Sequence, residues 1–149
     1  MIASLKIDFQ GFTFVDIGSG KGRALLMAAD YPFRRILGIE LLPALYRVAQ
    51  KNLSDYKSDS QQCFAVEAVC GNAREFVFPA EPLVLYLFNP LPEAGMIDVV
   101  ANLVHSLSQY PRVVYVLYRN PLFENVLAKY PAFIRIASTP QYSIFRTGS

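Results

Sequence analysis

The chain has 149 residues, of which 53% are hydrophobic and 17% are charged, with a formal net charge of +2. This length suits one domain with one substantial core, and the apolar content excludes an intrinsically disordered chain. The small net charge gives no support to a nucleic-acid or membrane-surface partner, and no uninterrupted apolar run reaches transmembrane length. Cys63 and Cys70 lack metal-ligand spacing and a neighbouring histidine. The sequence therefore predicts no metal site and two reduced thiols, as is usual in the cytoplasm.

Strand-like and helix-like segments alternate along the chain, a pattern typical of α/β proteins with a parallel sheet. The predicted strands are residues 12–18, 34–40, 64–70, 82–88, 112–118, 133–138 and 142–147, and the predicted helices are 21–30, 43–52, 93–108 and 121–130. The connection at 139–141 is too short for a parallel crossover, so the last two strands are expected to form an antiparallel hairpin. The fold class predicted is a three-layer, Rossmann-like α/β sheet, parallel except at its C-terminal hairpin.

The most informative stretch is residues 14–23, in which Asp16 ends an apolar strand and Gly18, Gly20 and Gly22 lead into a helix. A strand that turns into a helix through glycines lets a ligand touch bare backbone beside the positive end of the helix dipole. The spacing Gly-x-Gly-x-Gly differs from the Gly-x-Gly-x-x-Gly of dinucleotide-binding folds. A tight turn without a ligand is the alternative interpretation.

Glu40 ends the second predicted strand, about twenty residues beyond the glycines. An acid at this place can accept two hydrogen bonds from the vicinal hydroxyls of a ribose. NAD-binding proteins share this feature, so it does not select the cofactor, and a solvated carboxylate is the structural alternative.

Two short turns follow the next strands. Asn72 and Ala73 come after the third strand, where the Asn72 side-chain oxygen can accept a hydrogen bond, although an ordinary Gly-Asn turn would look the same.

Asn89 and Pro90 follow the fourth strand, beyond the carboxyl ends where α/β sheets bind ligands. They could offer carbonyl acceptors to an incoming N–H or O–H, or form a plain Asn-Pro turn. The turn 118–121 after the fifth strand could contact substrate or simply open the next helix.

Taken together, residues 12–23, 31–36 and 85–90 resemble a sparsely characterised bacterial-type branch of the class I S-adenosylmethionine (SAM) methyltransferases. The resemblance runs from about Ile7 to the end of the chain and implies the sheet order 3-2-1-4-5-7-6. It implies SAM as the cofactor, whose cationic groups suit an acid before the glycines. The cofactor-binding residues that it implies are Asp16, Gly18, Ser19, Gly20, Gly22, Glu40, Asn72 and Ala73, with Asn72 and Ala73 beside the adenine.

The resemblance also places Asn89 and Pro90 beside the transferable methyl group, as candidate catalytic residues. The run 89–92 is similar to the Asn/Asp-Pro-Pro-Tyr/Phe motif of amino-methyltransferases, but it lacks the aromatic ring that would stack on a planar target. A nucleobase acceptor is therefore disfavoured.

The expected protein is thus a single domain, 1–149, that transfers a methyl group from SAM to nitrogen or oxygen of an unidentified acceptor. The acceptor is expected to be a small molecule or a protein side chain rather than nucleic acid. The segment before the first strand is shorter than the N-terminal cap of such enzymes, so nothing obvious covers the site. The apolar excess points to a partner such as a second copy of the chain. A non-catalytic SAM- or nucleotide-binding module is the main alternative. An NAD-dependent oxidoreductase is disfavoured by the glycine spacing.

Overall fold

The computed structural model describes residues 1–89 and 91–147 and contains one seven-stranded sheet. The strands are β1 (Thr13–Ile17), β2 (Arg35–Glu40), β3 (Val66–Cys70), β4 (Leu83–Leu87), β5 (Val114–Arg119), β6 (Phe133–Ser138) and β7 (Tyr142–Thr147). Their order is β3-β2-β1-β4-β5-β7-β6; β1 to β5 are parallel, and β7 runs antiparallel to both β5 and β6. The predicted fold class and strand order are confirmed.

The α-helices are α1 (Arg23–Ala28), α2 (Pro43–Asp55), α3 (Glu93–Gln109) and α4 (Glu124–Ala128), and 3₁₀ turns cover Ile2–Ser4, Phe9–Gly11 and Ala73–Glu75. The first helix begins two residues later than predicted because Gly22, at its N-cap, has a left-handed φ of 87°. Pro43 opens α2 as expected, since its missing N–H costs nothing in the first turn.

Helices cover both faces of the sheet. α1, α2 and the N-terminal segment pack on one face, around Phe14 and Leu25, whereas α3 and α4 pack on the other, around Leu85 and Leu103. Every residue of β4 is buried, which explains its almost wholly apolar sequence. Because side chains alternate along a strand, Asp16 lies on the same face as Phe14, at the carboxyl end of β1.

The segment before β1 packs more closely than the sequence led us to expect. Ile2 and Leu5 are buried, and the ring of Phe9 lies 5.1 Å from that of Phe33. Met1 and Ile2 line a cavity at the carboxyl end of the sheet. The segment before β1 therefore forms part of the wall of the cleft. The expected short or missing N-terminal cap stays a prediction.

Within the described residues, no helix combines the length and the apolar content needed to cross a bilayer. Several large apolar side chains are exposed, including Phe64 and Val77 at 77% and 85%. The second copy of the chain expected to cover apolar surface stays a prediction.

Candidate functional site

The glycine loop after β1 has a backbone that only glycine adopts at low cost. Gly18, Gly20 and Gly22 have φ values of 74°, 55° and 87°. The amides of Gly18 and Ser19 donate to the carbonyl of Ile39 at 2.9 and 3.0 Å, which ties the loop to β2. The loop is therefore held at the carboxyl ends of β1 and β2, as the sequence pattern predicts.

A fourth glycine, which the sequence patterns did not single out, lets this loop pack closely against β2. A Cβ atom added to Gly38 in β2 would lie 2.7 Å from both the Ser19 Cβ and the Leu25 Cδ1. The loop and α1 can approach β2 only because this position has no side chain. A glycine inside a strand pattern is the signal that could have indicated the close approach.

We expect Gly38→Ala to lower the free energy of unfolding by about 1–3 kcal/mol, the usual cost of overpacking. It should also weaken any ligand held by the loop. Gly11→Ala is the matched control, because nothing lies within 4 Å of a Cβ placed there. Urea unfolding of both variants measures the loss of stability. Equal stability of the two variants would contradict the close approach of the loop and α1 to β2.

Glu40 holds the loop from the side. The residue is 7% exposed; its Oε1 accepts a hydrogen bond from the Gly20 amide at 2.8 Å, and its Oε2 accepts one from the Leu42 amide at 2.9 Å. A carboxylate has about four acceptor positions, so two remain for a ligand. Glu40 is thus both a structural anchor and an available acceptor.

A cavity of about 370 Å³, which we call the Glu40 cavity, opens beside this carboxylate. Its walls are mostly aliphatic, with Ile39 and Leu45 among them, and Asn72 and the buried Ala73 also line it. This size and lining could accommodate a planar heterocycle next to a hydroxylated sugar.

The Asn72 side chain already has one partner. Its Oδ1 accepts a hydrogen bond from the Arg74 amide at 3.0 Å, where it caps the 3₁₀ turn Ala73–Glu75. An amide oxygen keeps a second lone pair in this arrangement. The predicted contact with an adenine amino group stays a prediction.

A second cavity of about 600 Å³, the Asp16 cavity, lies on the other side of Gly18, and Gly18 lines both cavities. The residues that line it are Asp16 of β1, Ser19 of the glycine loop and Arg23 at the start of α1 on one side, with Tyr86 of β4 and Arg119 of β5. The two cavities form one cleft along the carboxyl ends of the strands, where parallel α/β sheets bind ligands.

Asp16 has an unusual environment for an acid. The residue is only 4% exposed, and its carboxylate forms no hydrogen bond with any residue that the structure describes. Burial and, to a smaller extent, the negative charge of Glu40 raise the pKa of Asp16 to about 8. The neighbouring Ser19 hydroxyl is also buried without a partner among residues 1–89 and 91–147. Unpaired buried polar groups at a cavity wall indicate a ligand site, and the acid favours a ligand with a cationic group.

Asn89 has a left-handed φ of 44°, and both ends of its side chain are occupied. Its Nδ2 donates to the Asn120 carbonyl at 2.6 Å, and its Oδ1 accepts from the Tyr118 hydroxyl at 3.0 Å. The side chain therefore fixes the turns after β4 and β5 to each other. Its expected direct contact with an acceptor stays a prediction. Pro90, the other candidate catalytic residue, lies outside the described residues.

The strand order, the glycine loop after β1 and the acid that ends β2 together define the fold of the class I SAM-dependent methyltransferases. The N-methyltransferase NodS from Bradyrhizobium japonicum WM9, solved with S-adenosyl-L-homocysteine (SAH), is similar with a TM-score of 0.65 at 11% identity, over 92% of this chain and 78% of that one.

Two further solved structures are similar. The ribosomal protein L11 methylase from Lactobacillus delbrueckii subsp. bulgaricus has a TM-score of 0.61 at 14% identity, over 91% of this chain and 68% of that one. The PH0226 protein from Pyrococcus horikoshii OT3 has a TM-score of 0.64 at 13% identity, over 91% of this chain and 80% of that one. Comparisons with models of known families and with curated proteins give no match. The likeness establishes the fold.

Proposed function

We propose that this protein is a SAM-dependent methyltransferase that acts on nitrogen or oxygen of its acceptor. The observation that carries the proposal is Asp16, a buried acid without a partner in the described chain, on the wall of a cavity beside the glycine loop. Glu40 lies on the other side of the same loop with acceptor capacity to spare. The fold shared with methyltransferases, one of them solved with SAH, supports the proposal.

The residues present fit the parts of SAM. Glu40 would accept the ribose hydroxyls, and the aliphatic walls of the Glu40 cavity, with Asn72 and Ala73, would enclose the adenine. In the Asp16 cavity, Asp16 would pair with the α-amino group beside Gly18 and Ser19. Arg23, exposed in the first turn of α1, offers a guanidinium to the carboxylate.

Bound SAM supplies an activated methyl group, which passes to an acceptor lone pair while the electron pair of the carbon–sulfur bond stays on sulfur. The chain's part is to align the acceptor and to exclude water, which contributes most of the acceleration in such displacements. A nitrogen acceptor can release its proton to solvent and needs no strong general base, so the exposed position of His105, the one histidine, does not argue against catalysis.

Transfer of label from methyl-labelled SAM to a cell extract tests the proposal. We expect a labelled fraction with the wild-type protein and a loss of labelling when Asp16 is replaced by Asn. Firm SAM binding with no labelled product would instead support the alternative, a non-catalytic SAM-binding module.

We expect Asn89→Gly to lower the rate of methyl transfer about 10²-fold while SAM affinity changes only a few-fold, because the turns after β4 and β5 lose their connection. Glycine adopts the left-handed backbone readily, so the substitution removes the side chain without straining the turn. Asn102→Ala is the control, since the Asn102 amide also donates to a carbonyl, that of Phe76, but lies on α3 away from the cleft. A fall in kcat with little change in KM for SAM would indicate lost positioning. Equal rates for the two variants would remove Asn89 from the mechanism.

A further inference from the structure

A third cavity, which we call the Tyr31 cavity, continues the cleft beyond the Asp16 cavity. It has a volume of about 250 Å³, and it shares Met27, Tyr86 and Arg119 with the Asp16 cavity. The other residues of its walls are Met1, Ile2, Tyr31, Gln141 and Tyr142. The cleft thus extends past the proposed position of SAM into a pocket whose walls are mostly apolar and aromatic side chains, as small-molecule sites commonly are.

Tyr86 forms the inner part of this pocket. It pairs in register with Asp16 across β1 and β4, its side chain is 4% exposed, and it lines both cavities. Its hydroxyl forms no hydrogen bond with any residue in 1–89 or 91–147, and it is not among the fully enclosed polar atoms of this part of the chain. The hydroxyl is therefore available to a ligand group that can donate or accept a hydrogen bond.

Arg119 lies at the outer part of the pocket. Its guanidinium carbon is 4.9 Å from the centre of the Phe88 ring, and it forms no ion pair with the described residues. Stacking of this kind holds the planar group in place and leaves its N–H donors free for a carboxylate. The positive charge of Arg119, in a cavity next to the proposed sulfonium, is best balanced by an anionic ligand.

We propose that the methyl acceptor is a small aromatic carboxylate that binds in the Tyr31 cavity, with its carboxylate on Arg119 and its hydroxyl or amine toward Tyr86. The exposed arginine keeps the anion near solvent, where it is not fully desolvated, and the buried tyrosine meets the reacting group beside the Asp16 cavity. This inference rests on the proposed function.

The test is calorimetry on the protein saturated with SAH, with hydroxybenzoates, aminobenzoates and their uncharged amides as probes. We expect 4-hydroxybenzoate or a close relative to bind at least tenfold more tightly than its amide. Arg119→Gln should remove that preference. Arg146→Gln should keep it, because this arginine also lies over an aromatic ring, Tyr115, but does not line the cleft. Tyr86→Phe should weaken binding of the hydroxybenzoate and leave benzoate unchanged.

Equal binding of acids and amides, or no binding of any probe at millimolar concentration, would overturn the acceptor assignment. If SAH binds in the same experiment, that result leaves the proposed function standing. If SAH itself fails to bind to folded protein, the proposed function fails. The same titration without SAH then still decides whether the pocket prefers an anion.

Discussion

Asp16→Asn is expected to stabilise the ligand-free protein at pH 8 and to weaken SAM binding. The folded-state pKa of Asp16 is about 8 against an ordinary value of 3.8, so between these pH values the folded protein holds a proton that the unfolded chain has released. The free energy of unfolding therefore falls as pH rises through this window, by up to about 1.4 kcal/mol per pH unit. Asparagine cannot ionise, so the variant should not lose this stability. Its melting temperature should exceed that of the wild type by several degrees at pH 8, with a smaller difference at pH 5.

SAM binding should show the opposite pH dependence. A cationic ligand needs the ionised carboxylate, so the affinity of the wild-type protein should rise between pH 6 and 8, by up to about tenfold per pH unit, as Asp16 releases its proton. The ligand's own amino group titrates near the upper end of this range, roughly pH 8. Asp16→Asn isolates the contribution of the protein, because its affinity should be weak and its pH profile should show the ligand's titration alone. Asp59→Asn, at an exposed aspartate, is the control. A wild-type profile that parallels that of Asp16→Asn would refute the assignment of Asp16.

Glu40→Ala is expected to weaken SAM by about 10- to 100-fold, the scale of charged hydrogen bonds to two hydroxyls. The free energy of unfolding of the ligand-free protein should also fall, because the amides of Gly20 and Leu42 lose their acceptor. Each partly buried amide left unpaired costs roughly 1–3 kcal/mol.

Glu40→Gln should lie between the wild type and Glu40→Ala, since its carbonyl oxygen can still accept from one amide. Glu67→Ala removes an exposed acid from the neighbouring strand β3 and serves as the control. Chemical denaturation measures the free energy of unfolding of each variant, and calorimetry measures its affinity for SAM. Wild-type affinity in Glu40→Ala would show that the ribose assignment is wrong.

The sequence predicted the elements well because apolar periodicity, glycine and proline mark strands, helices and turns locally. The run 82–88 is apolar throughout, and β4 is buried on both faces. The order of the strands in the sheet could not be predicted from these local patterns. It followed from the family resemblance, since the order of elements along a chain does not fix which strands pair.

The remaining features of the site depend on contacts between segments distant in sequence. Tyr86 looks like any core residue of an apolar strand, and only the pairing of β4 with β1 shows that it lies beside Asp16. Asn89 could not be connected to Tyr118 and Asn120 before β4 and β5 were placed side by side. The burial of a residue can be predicted from the apolar pattern of the sequence. Whether a hydroxyl or an amide has a hydrogen-bond partner can be judged only when its neighbours in the fold are known.

Calorimetric titration of the protein with SAM, SAH and NAD tests the central claim most directly. We predict saturable binding of SAM and SAH with one site per chain, and no binding of NAD at millimolar concentration. A folded protein that binds NAD, or that binds none of the three, would contradict the assignment of this cleft to SAM.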